Sequence, residues 1–264
     1  MHRIPDPASY QPPPQETQGC TVGVVRLTDG MLFFKNRDLS RAYLTHRTTV
    51  WHATPEVYTL KGADLETGAL AGVAIGLNRR KVCVANTHII STPDVTYDLL
   101  CEQLLIEVQE RPDVPRVVST FMDQHKVQGG RILVAAPEWA FLIEVLGKQF
   151  EIQAVEGSFV MTNNFSLLPD PEKSTPARQQ SSASRLQVAQ AVLPHVSGIR
   201  TLKSMLRSHR PEKGELSICN HRQDGGGTES SHIIHIHGTY VSWSSLVGFP
   251  CENDYQAVQP FAPS

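Results

Sequence analysis

The sequence predicts an α+β fold of antiparallel β-sheets with helices on their outer faces, an order that a four-layer αββα sandwich would fit. The first observation is that elements of one kind come in groups: strands, two helices, strands, two helices and strands. The second is that single strands do not alternate with single helices, as a parallel βαβ sheet would require. Grouped strands pair most simply as antiparallel neighbours, and each pair of helices is then left to cover an outer face.

Two β-hairpins are predicted between residues 20 and 90. The strand-like segments CTVGVVRL and MLFFKN are joined by Thr28-Asp29-Gly30, a turn sequence typical of hairpins. LAGVAIGL and KVCVANTHI flank an Asn-Arg-Arg turn in the same way. The segment between the hairpins, TTVWHATPEVYTL, is expected to be extended, with Pro55 at an edge, a bulge or a strand end.

The hydrophobic period becomes helical in YDLLCEQLLIEVQER, where Leu99, Leu100, Leu104, Leu105 and Val108 recur. RVVSTFMDQHKV is predicted as a second helix, and SRLQVAQAVLPHV and GIRTLKSMLRSH as two more. Between these pairs, strands are predicted for RILVAA, FLIEVL, FEIQAV and SFVMTNN, and the chain closes with strand-like LSICNH, SHIIHIHG and TYVSWSSLV. Residues 166–183, rich in Pro, Ser, Glu and Lys, are predicted to form a long loop.

Composition and charge narrow the function classes. The chain has 264 residues, of which 40% are hydrophobic and 19% charged, and its net charge is −2. It has no cluster of Lys and Arg, which argues against a nucleic-acid partner, and no apolar run of the roughly 18 residues that a membrane helix needs. Five separated cysteines without a C-x-x-C pair argue against a zinc knuckle and a secreted disulfide framework. We expect a cytoplasmic protein, with a homo-oligomer left open.

Cys20 stands where a proline-rich segment changes abruptly to strand-like sequence. We therefore expect residues 1–19 to be a disordered leader, residues 20–264 to form one domain, and cleavage to occur between Gly19 and Cys20. Cleavage would leave a thiol and a free amine on one residue. Because an α-amine has a pKa of about 8, it can accept the thiol proton, so the residue is nucleophile and base together. This predicts an N-terminal-nucleophile amidohydrolase; a buried structural cysteine is the alternative.

Asp38 is the second candidate, at the end of the hairpin's second strand in KNRD. A hairpin of this length brings its outer ends together, so Asp38 is expected beside the Cys20 amine, where it would accept a hydrogen bond. A solvated charged loop is the alternative. In the reaction, the Cys20 sulfur would attack an amide carbon and form an acyl-enzyme. Asparagine side chains and backbone N–H groups are suitable donors to the oxyanion.

These residues resemble the choloylglycine hydrolase and isopenicillin N acyltransferase group of Ntn hydrolases. Members begin the mature chain with Cys-Thr and reach Asn-x-Asp after a hairpin, as Cys20-Thr21 and Asn36-Arg37-Asp38 do here. LAGVAIGLNRRKVCVANTHI, VMTNNF and SSASRLQVAQ are similar to later family segments in the same order. The resemblance covers about residues 20–258. It implies the αββα fold, with Asn86 and Asn163 as oxyanion donors and Arg185 as a site arginine.

Two departures from the family pattern bear on the substrate. Bile salt hydrolases have an arginine three residues before the aspartate, where this chain has Lys35, which lacks the planar fork that grips a carboxylate. We expect Lys35 to support the site by its charge. The long leader, ICNH and the GFPCENDYQ tail are similar to the acyltransferase branch instead. The resemblance implies a small-molecule or short-peptide amide as substrate, with acyl-CoA as a further candidate.

Three functions stay open at this point. A hydrolase passes the acyl group to water, an acyltransferase passes it to an amine such as a β-lactam nucleus, and a non-catalytic protein of this fold would bind without maturing. No cofactor and no metal are implied. His232, His235 and His237 have no carboxylate or cysteine nearby in sequence, so we expect partly buried strand residues there. His88, two residues after Asn86, is a candidate neighbour of the pocket.

Overall fold

A computed structural model describes residues 19–169 and 175–261. Its strands form two antiparallel sheets, as the grouping of elements predicts. The six-stranded sheet, here sheet A, has the strand order β10-β1-β2-β11-β12-β13. Its strands are β1 (Gly19–Leu27), β2 (Gly30–Leu39), β10 (Phe159–Met161), β11 (Gly227–His237), β12 (Tyr240–Val247) and β13 (Gln256–Val258).

The seven-stranded sheet, sheet B, follows the order of the sequence from β3 to β9. Its strands are β3 (Arg47–Ala53), β4 (Val57–Asp64), β5 (Leu70–Asn78), β6 (Cys83–Ile90), β7 (Val127–Ala136), β8 (Trp139–Gly147) and β9 (Gln149–Ala154). The helices are α1 (Arg41–His46), α2 (Tyr97–Glu107), α3 (Asp113–Gln124), α4 (Pro176–Val192) and α5 (Ile199–Leu206), with a short 3-10 helix at Leu193–His195. Within the two described ranges, no helix has the length and apolar character needed to cross a membrane.

Three buried clusters separate the four layers and confirm the αββα architecture. Side chains alternate along each strand, so neighbouring residues enter different clusters. Phe33 packs between the two sheets, whereas Phe34 packs on the outer face of sheet A with α4 and α5. In sheet B, Ala85 faces the space between the sheets and Val84 faces α2 and α3. Both faces of each sheet are therefore covered, which matches the continuous apolar runs in the sequence.

Helix α4 begins within the segment predicted as a loop, so the prediction for residues 166–183 is wrong from Pro176 onward. Thr175 caps the helix by accepting a hydrogen bond from the Arg178 N–H, and Pro176 occupies the first turn, where proline is well tolerated. The first turns contain mostly polar residues and lack the apolar period on which the prediction depended. The capping signal was present, but composition masked it.

Two other local predictions differ from the structure. The segment 216–221, predicted as a strand, is part of the loop between α5 and β11. Its N–H groups bond to loop carbonyls instead of a sheet: Cys219 donates to Ser208 O and His221 donates to Gly214 O. The unpredicted helix α1 begins after Ser40, whose side chain accepts from the Tyr43 N–H. Of the expected leader, residues 1–18 lie outside the described residues, and Gly19 is the first residue of β1.

Candidate active site

The hairpin of β1 and β2 places Cys20 between two groups of polar side chains. Gly19 pairs with Asp38, and Cys20 pairs with Arg37. Residues that pair directly point to the same face of a sheet, and their neighbours point to the other. The Cys20 side chain therefore faces the space between the sheets, while Asp38 faces the layer of α4. The Cys20 thiol and the Asp38 carboxyl group thus lie on opposite faces of sheet A.

The backbone of Cys20 is held by Asn163, which follows β10, and by Arg185 of α4. The Cys20 N–H donates to Asn163 Oδ1 at 2.8 Å, and Arg185 Nη1 donates to the Cys20 carbonyl at 2.6 Å. Arg185 Nη2 also donates to Asn163 Oδ1 at 2.9 Å, which closes the network. All three residues are buried. Asn163 follows β10, which pairs with β1, and α4 packs on the same face, so the fold brings together residues far apart in sequence.

Asp38 completes this network with one oxygen bonded and one unpaired. Its Oδ1 accepts from the Thr228 hydroxyl at 2.8 Å. Its Oδ2 lies 3.9 Å from Arg185 Nη1 and has no hydrogen-bond partner among the described residues. Burial raises the pKa of Asp38 from 3.8 to about 6, although Arg185 and Thr228 act in the opposite direction. Close to neutral pH, this site therefore holds a buried carboxylate with an unused acceptor atom.

The unpaired oxygen of Asp38 lies against Gly19. A Cβ atom added to Gly19 would be 3.0 Å from Asp38 Oδ2 and 3.3 Å from Arg185 Nη2. Most side-chain contacts are longer, so any larger residue would push these groups apart. Close packing therefore favours glycine at the Gly-Cys junction. The expected cleavage point lies within reach of the two charged side chains.

Lys35 and Asn86 form a second group in the space between the sheets. Lys35 Nζ donates to Asn86 Oδ1 at 3.0 Å, to Asn86 O at 2.8 Å and to Ala74 O at 3.0 Å. Burial lowers the pKa of Lys35, and the nearby Cys20 opposes this shift. The Asn86 amide donates to Val73 O at 2.7 Å and to Asp98 Oδ1 at 2.9 Å. Both Nδ2 hydrogens of Asn86 are thus engaged.

The Cys20 thiol opens on a narrow cavity between the sheets. Its volume is about 30 Å³, enough for one or two water molecules. The side chains that line it are mainly polar and include Cys20, Lys35, Arg37, Asn86, His88 and Asp98. Leu39, the last residue of β2, and Tyr43 of α1 close one side. In the uncleaved chain, the thiol therefore faces a pocket of water size.

Sequence reasoning missed three charged or polar residues around Cys20. Arg178 is mostly buried, and its Nη2 donates to His88 O at 3.2 Å. Arg178 and Arg185 are seven residues apart and share one face of α4, so a correct helix prediction would have found the pair. Asp98, in the first turn of α2, has its pKa raised to about 6 by burial. Thr228 carried no local sequence signal, because its partner Asp38 is distant in the chain.

The histidines highlighted in the sequence have structural partners. His88 lines the cavity, and its ring nitrogens pair with the Tyr97 and Ser91 hydroxyls at 3.1 and 3.0 Å. Burial, and secondarily Arg178, lower the pKa of His88 to about 3, so it stays neutral. His232 is buried and pairs with Ser245, and within the described ranges the histidines of β11 join no cluster of metal-ligating groups. Neither His88 nor these histidines are placed as a base for Cys20.

Comparison with solved structures identifies the fold. Two variants of the conjugated bile acid hydrolase from Clostridium perfringens superpose with TM-scores of 0.56 and 0.59. They are 8% and 9% identical to this chain, and the alignments cover 91% and 90% of it. The alignments also cover 96% and 92% of the hydrolase chains. No protein-family model and no curated sequence gives a significant match.

These alignments agree with the fold that the motifs implied. The similarity extends over nearly the whole of both chains, so the order of the layers is shared. At this low identity, the likeness establishes the architecture alone. The assignment of chemistry to this chain depends on its own residues around Cys20.

Proposed function

We propose that this chain is an N-terminal cysteine amidohydrolase that removes residues 1–19 and then cleaves a linear amide through an acyl-enzyme. The observation that carries the proposal is the environment of the Gly19–Cys20 peptide. The Cys20 nitrogen donates to Asn163, the Cys20 carbonyl accepts from Arg185, and Gly19 lies against Asp38. Burying this many charges at a strand terminus is costly, and a catalytic role explains the arrangement.

In the proposed processing step, the Cys20 sulfur attacks the carbonyl carbon of Gly19. A C–S bond forms, the C–N bond breaks, and the thiol proton passes to the departing nitrogen. Water then hydrolyses the thioester, which regenerates the thiol and leaves Gly19 with a carboxylate. The products are the leader and a chain with a free amine at Cys20.

The released amine has partners already in place. It keeps Asn163 Oδ1 as an acceptor and gains further hydrogens, for which the unpaired Asp38 Oδ2 is the nearby acceptor. Held in this way, the amine takes the proton of the Cys20 thiol and the sulfur attacks the substrate amide. The sulfur bonds to the carbonyl carbon, the substrate C–N bond breaks, and the amine product leaves with the proton. Water then hydrolyses the thioester, which releases the acid and regenerates the thiol. Arg185 fixes the backbone of Cys20 throughout.

The oxyanion is assigned principally to the Asn163 amide. One Nδ2 hydrogen of Asn163 donates to His88 O at 2.7 Å, which leaves the second for a developing negative charge. Asn86 was expected to act in the same way, but its two hydrogens are donated to Val73 and Asp98. We propose that Asn86 holds Lys35 instead, and that the Lys35 ammonium supplies positive charge beside the thiol.

The proposal is tested by Cys20→Ala, with Cys83→Ala as the matched control. Cys83 is also a buried strand cysteine of the inter-sheet cluster but lies outside the Cys20 cavity. We expect Cys20→Ala to fold, to keep residues 1–19 by intact mass, and to cleave no member of an amide panel. The control should process normally. Leader removal in Cys20→Ala would show that an external protease cuts the chain and would contradict self-processing.

The same panel separates the remaining functions. If an added amine raises product yield from an amide or acyl-thioester, the acyl group is transferred, and the protein is an acyltransferase. If yield is unchanged and the free acid accumulates, it is a hydrolase. A wild-type chain that keeps its leader and is inert toward thiol-directed acylating reagents would support the non-catalytic alternative.

A further inference from the structure

Four metal-ligating side chains converge away from Cys20, between two loops beside sheet A. His209, Cys219 and His221 belong to the loop 207–226 between α5 and β11, and Cys251 follows β12. One ligating atom of each residue, a ring nitrogen or a thiol sulfur, lies within 4.8 Å of the other three. Cys219 is buried and the others are half-buried, so the cluster lies at the base of the loops.

The contacts within this cluster centre on one nitrogen. His221 Nε2 lies 3.2 Å from His209 Nε2, 3.5 Å from Cys219 Sγ and 3.4 Å from Cys251 Sγ. A neutral imidazole nitrogen carries either one proton or one lone pair, so it can make one good hydrogen bond of this kind. Ordinary hydrogen bonding therefore leaves two of these three contacts unexplained. A shared cation would attract all four electron-rich atoms together.

These three distances fit three of the six edges of a tetrahedron around zinc, and the other three pairs of ligating atoms lie within 4.8 Å. With Zn–N of about 2.0–2.1 Å and Zn–S of about 2.3 Å, tetrahedral edges are about 3.3 Å between nitrogens and about 3.6 Å between nitrogen and sulfur. The observed N–N contact is 3.2 Å, and the N–S contacts are 3.4 and 3.5 Å. A set of two thiolates and two imidazoles binds zinc in preference to calcium or magnesium.

We propose that His209, Cys219, His221 and Cys251 bind one structural zinc ion. Four protein ligands fill the tetrahedron, so no position is left for substrate or a catalytic water. Binding would release the protons of both thiols, because the metal takes thiolates. The site joins the long loop 207–226 to the segment after β12, two regions that are distant in sequence. This proposal does not depend on the proposed amidohydrolase function.

The surroundings of the cluster orient its ligands. The His221 ring stacks on Phe249 with the ring centroids 4.1 Å apart, which fixes the direction of its nitrogen. Between the ligands Cys219 and His221, the Asn220 N–H donates to Thr228 Oγ1 at 2.9 Å, and Thr228 in turn donates to Asp38. A zinc ion here would therefore hold the loop that fixes the donor to Asp38.

The sequence signal for this site is weak, which explains why the cysteine spacing argued against a zinc knuckle. Cys219-x-His221 is a short pair, but His209 and Cys251 lie outside any familiar zinc motif. The four residues meet only because α5 and β12 end beside the same loop. The absence of a C-x-x-C pair excludes the common zinc knuckle, not a site assembled by the fold.

The test measures zinc in the full chain purified under reducing conditions, by elemental analysis and native mass spectrometry. We expect one zinc per chain in the wild type and its loss in Cys251→Ala and His209→Ala. The matched controls are Cys83→Ala, a buried cysteine outside the cluster, and His195→Ala, an exposed histidine, and both should keep the ion. Zinc retained by both cluster variants would overturn the proposal.

A second measurement decides the matter if the cluster variants fail to fold. The wild-type chain, stripped of metal and loaded with Co²⁺, should show the visible absorption of tetrahedral cobalt with thiolate-to-metal charge transfer, and added Zn²⁺ should abolish it. Wild-type protein with reduced thiols that takes up neither metal would overturn the proposal. So would a Cys219–Cys251 disulfide in the wild-type chain, because it would consume both sulfur ligands.

Discussion

At the scale of single residues, the candidate site is defined by a carboxyl group whose burial opposes its ionisation. Asp38 has one hydrogen bond from Thr228 and a distant ion pair with Arg185, which together do not offset the loss of water. A carboxyl group left in this state has a function or is a source of instability. In the proposed mechanism, the amine that cleavage releases at Cys20 donates to the unpaired oxygen of Asp38.

The pKa of Asp38 predicts how leader removal depends on pH. Because the folded-state pKa is raised from 3.8 to about 6, the folded chain binds this proton more tightly than the unfolded chain. The contribution of Asp38 to stability therefore falls as pH rises through this interval. The fraction of Asp38 that is ionised, in contrast, rises with pH over the same interval. The ionised carboxylate is the acceptor available to the departing Cys20 nitrogen as it gains the thiol proton. We therefore expect the processing rate of freshly synthesised chain to drop below about pH 6, by about tenfold for each pH unit.

Asp98 provides the control for this prediction, because burial also raises its pKa to about 6. In Asp98→Asn, the acid limb of the rate profile should keep its position, whereas in Asp38→Asn processing should be slow and the limb should disappear. Rates are followed by intact mass at a series of pH values. A limb that disappears only in Asp98→Asn would assign the titration to Asp98 and exclude Asp38.

Gly19→Ala is predicted to slow processing without unfolding the chain. The added methyl group would lie 3.0 Å from Asp38 Oδ2, so the carboxylate or the strand must move by a few tenths of an ångström. A shift of this kind beside a reacting peptide is expected to reduce the rate by about tenfold. Gly198→Ala is the matched control, since a Cβ there meets nothing within 4 Å. Equal rates for both variants would show that Gly19 packing does not matter.

At the scale of elements, the sequence was informative wherever local chemistry determined the structure. Thr28-Asp29-Gly30 correctly predicted the β1–β2 hairpin, and the hairpin register pairs Gly19 with Asp38. The contact between Lys35 and Asn86 could not be derived, because it joins strands of different sheets. Helix α4 was recognised only in its second half, since its first turns contain mostly polar residues, among them Arg178, which donates to His88 O.

The two arginines of α4 that lie near Cys20, Arg178 and Arg185, allow a further prediction. Arg185 donates to both the Cys20 carbonyl and Asn163, which requires the forked guanidinium. Arg185→Lys should therefore slow processing by about tenfold or more, because one ammonium cannot reproduce this geometry. Arg178→Lys, on the same face of the helix, should have a smaller effect, since among the described residues the Arg178 guanidinium donates to the His88 carbonyl and not to Cys20 or Asn163. Processing rates by intact mass, with circular dichroism to verify folding, test the difference.

At the scale of the whole molecule, the four layers explain why the site is two-sided. The first residues of the described chain lie in β1, next to the edge strand of sheet A, where one face meets sheet B and the other meets α4. Lys35 and Asn86 line the Cys20 cavity on the first side, and Asp38 and Arg185 lie on the second. An open sheet with one exposed face could not supply both groups in a buried setting. The outer helices are therefore as necessary to the site as the sheets.

This dependence on the outer layers is testable in α2, which packs on sheet B and carries Asp98. Leu104 is fully buried in the cluster between sheet B and helices α2 and α3. Ile106, on the opposite face of the same helix, is 49% exposed. Leu104→Ala should lower the free energy of unfolding by about 2–5 kcal/mol, because a buried cavity is left. Ile106→Ala should change it by less than about 0.5 kcal/mol. Urea unfolding of the two variants decides: equal losses would mean that α2 does not pack as an outer layer.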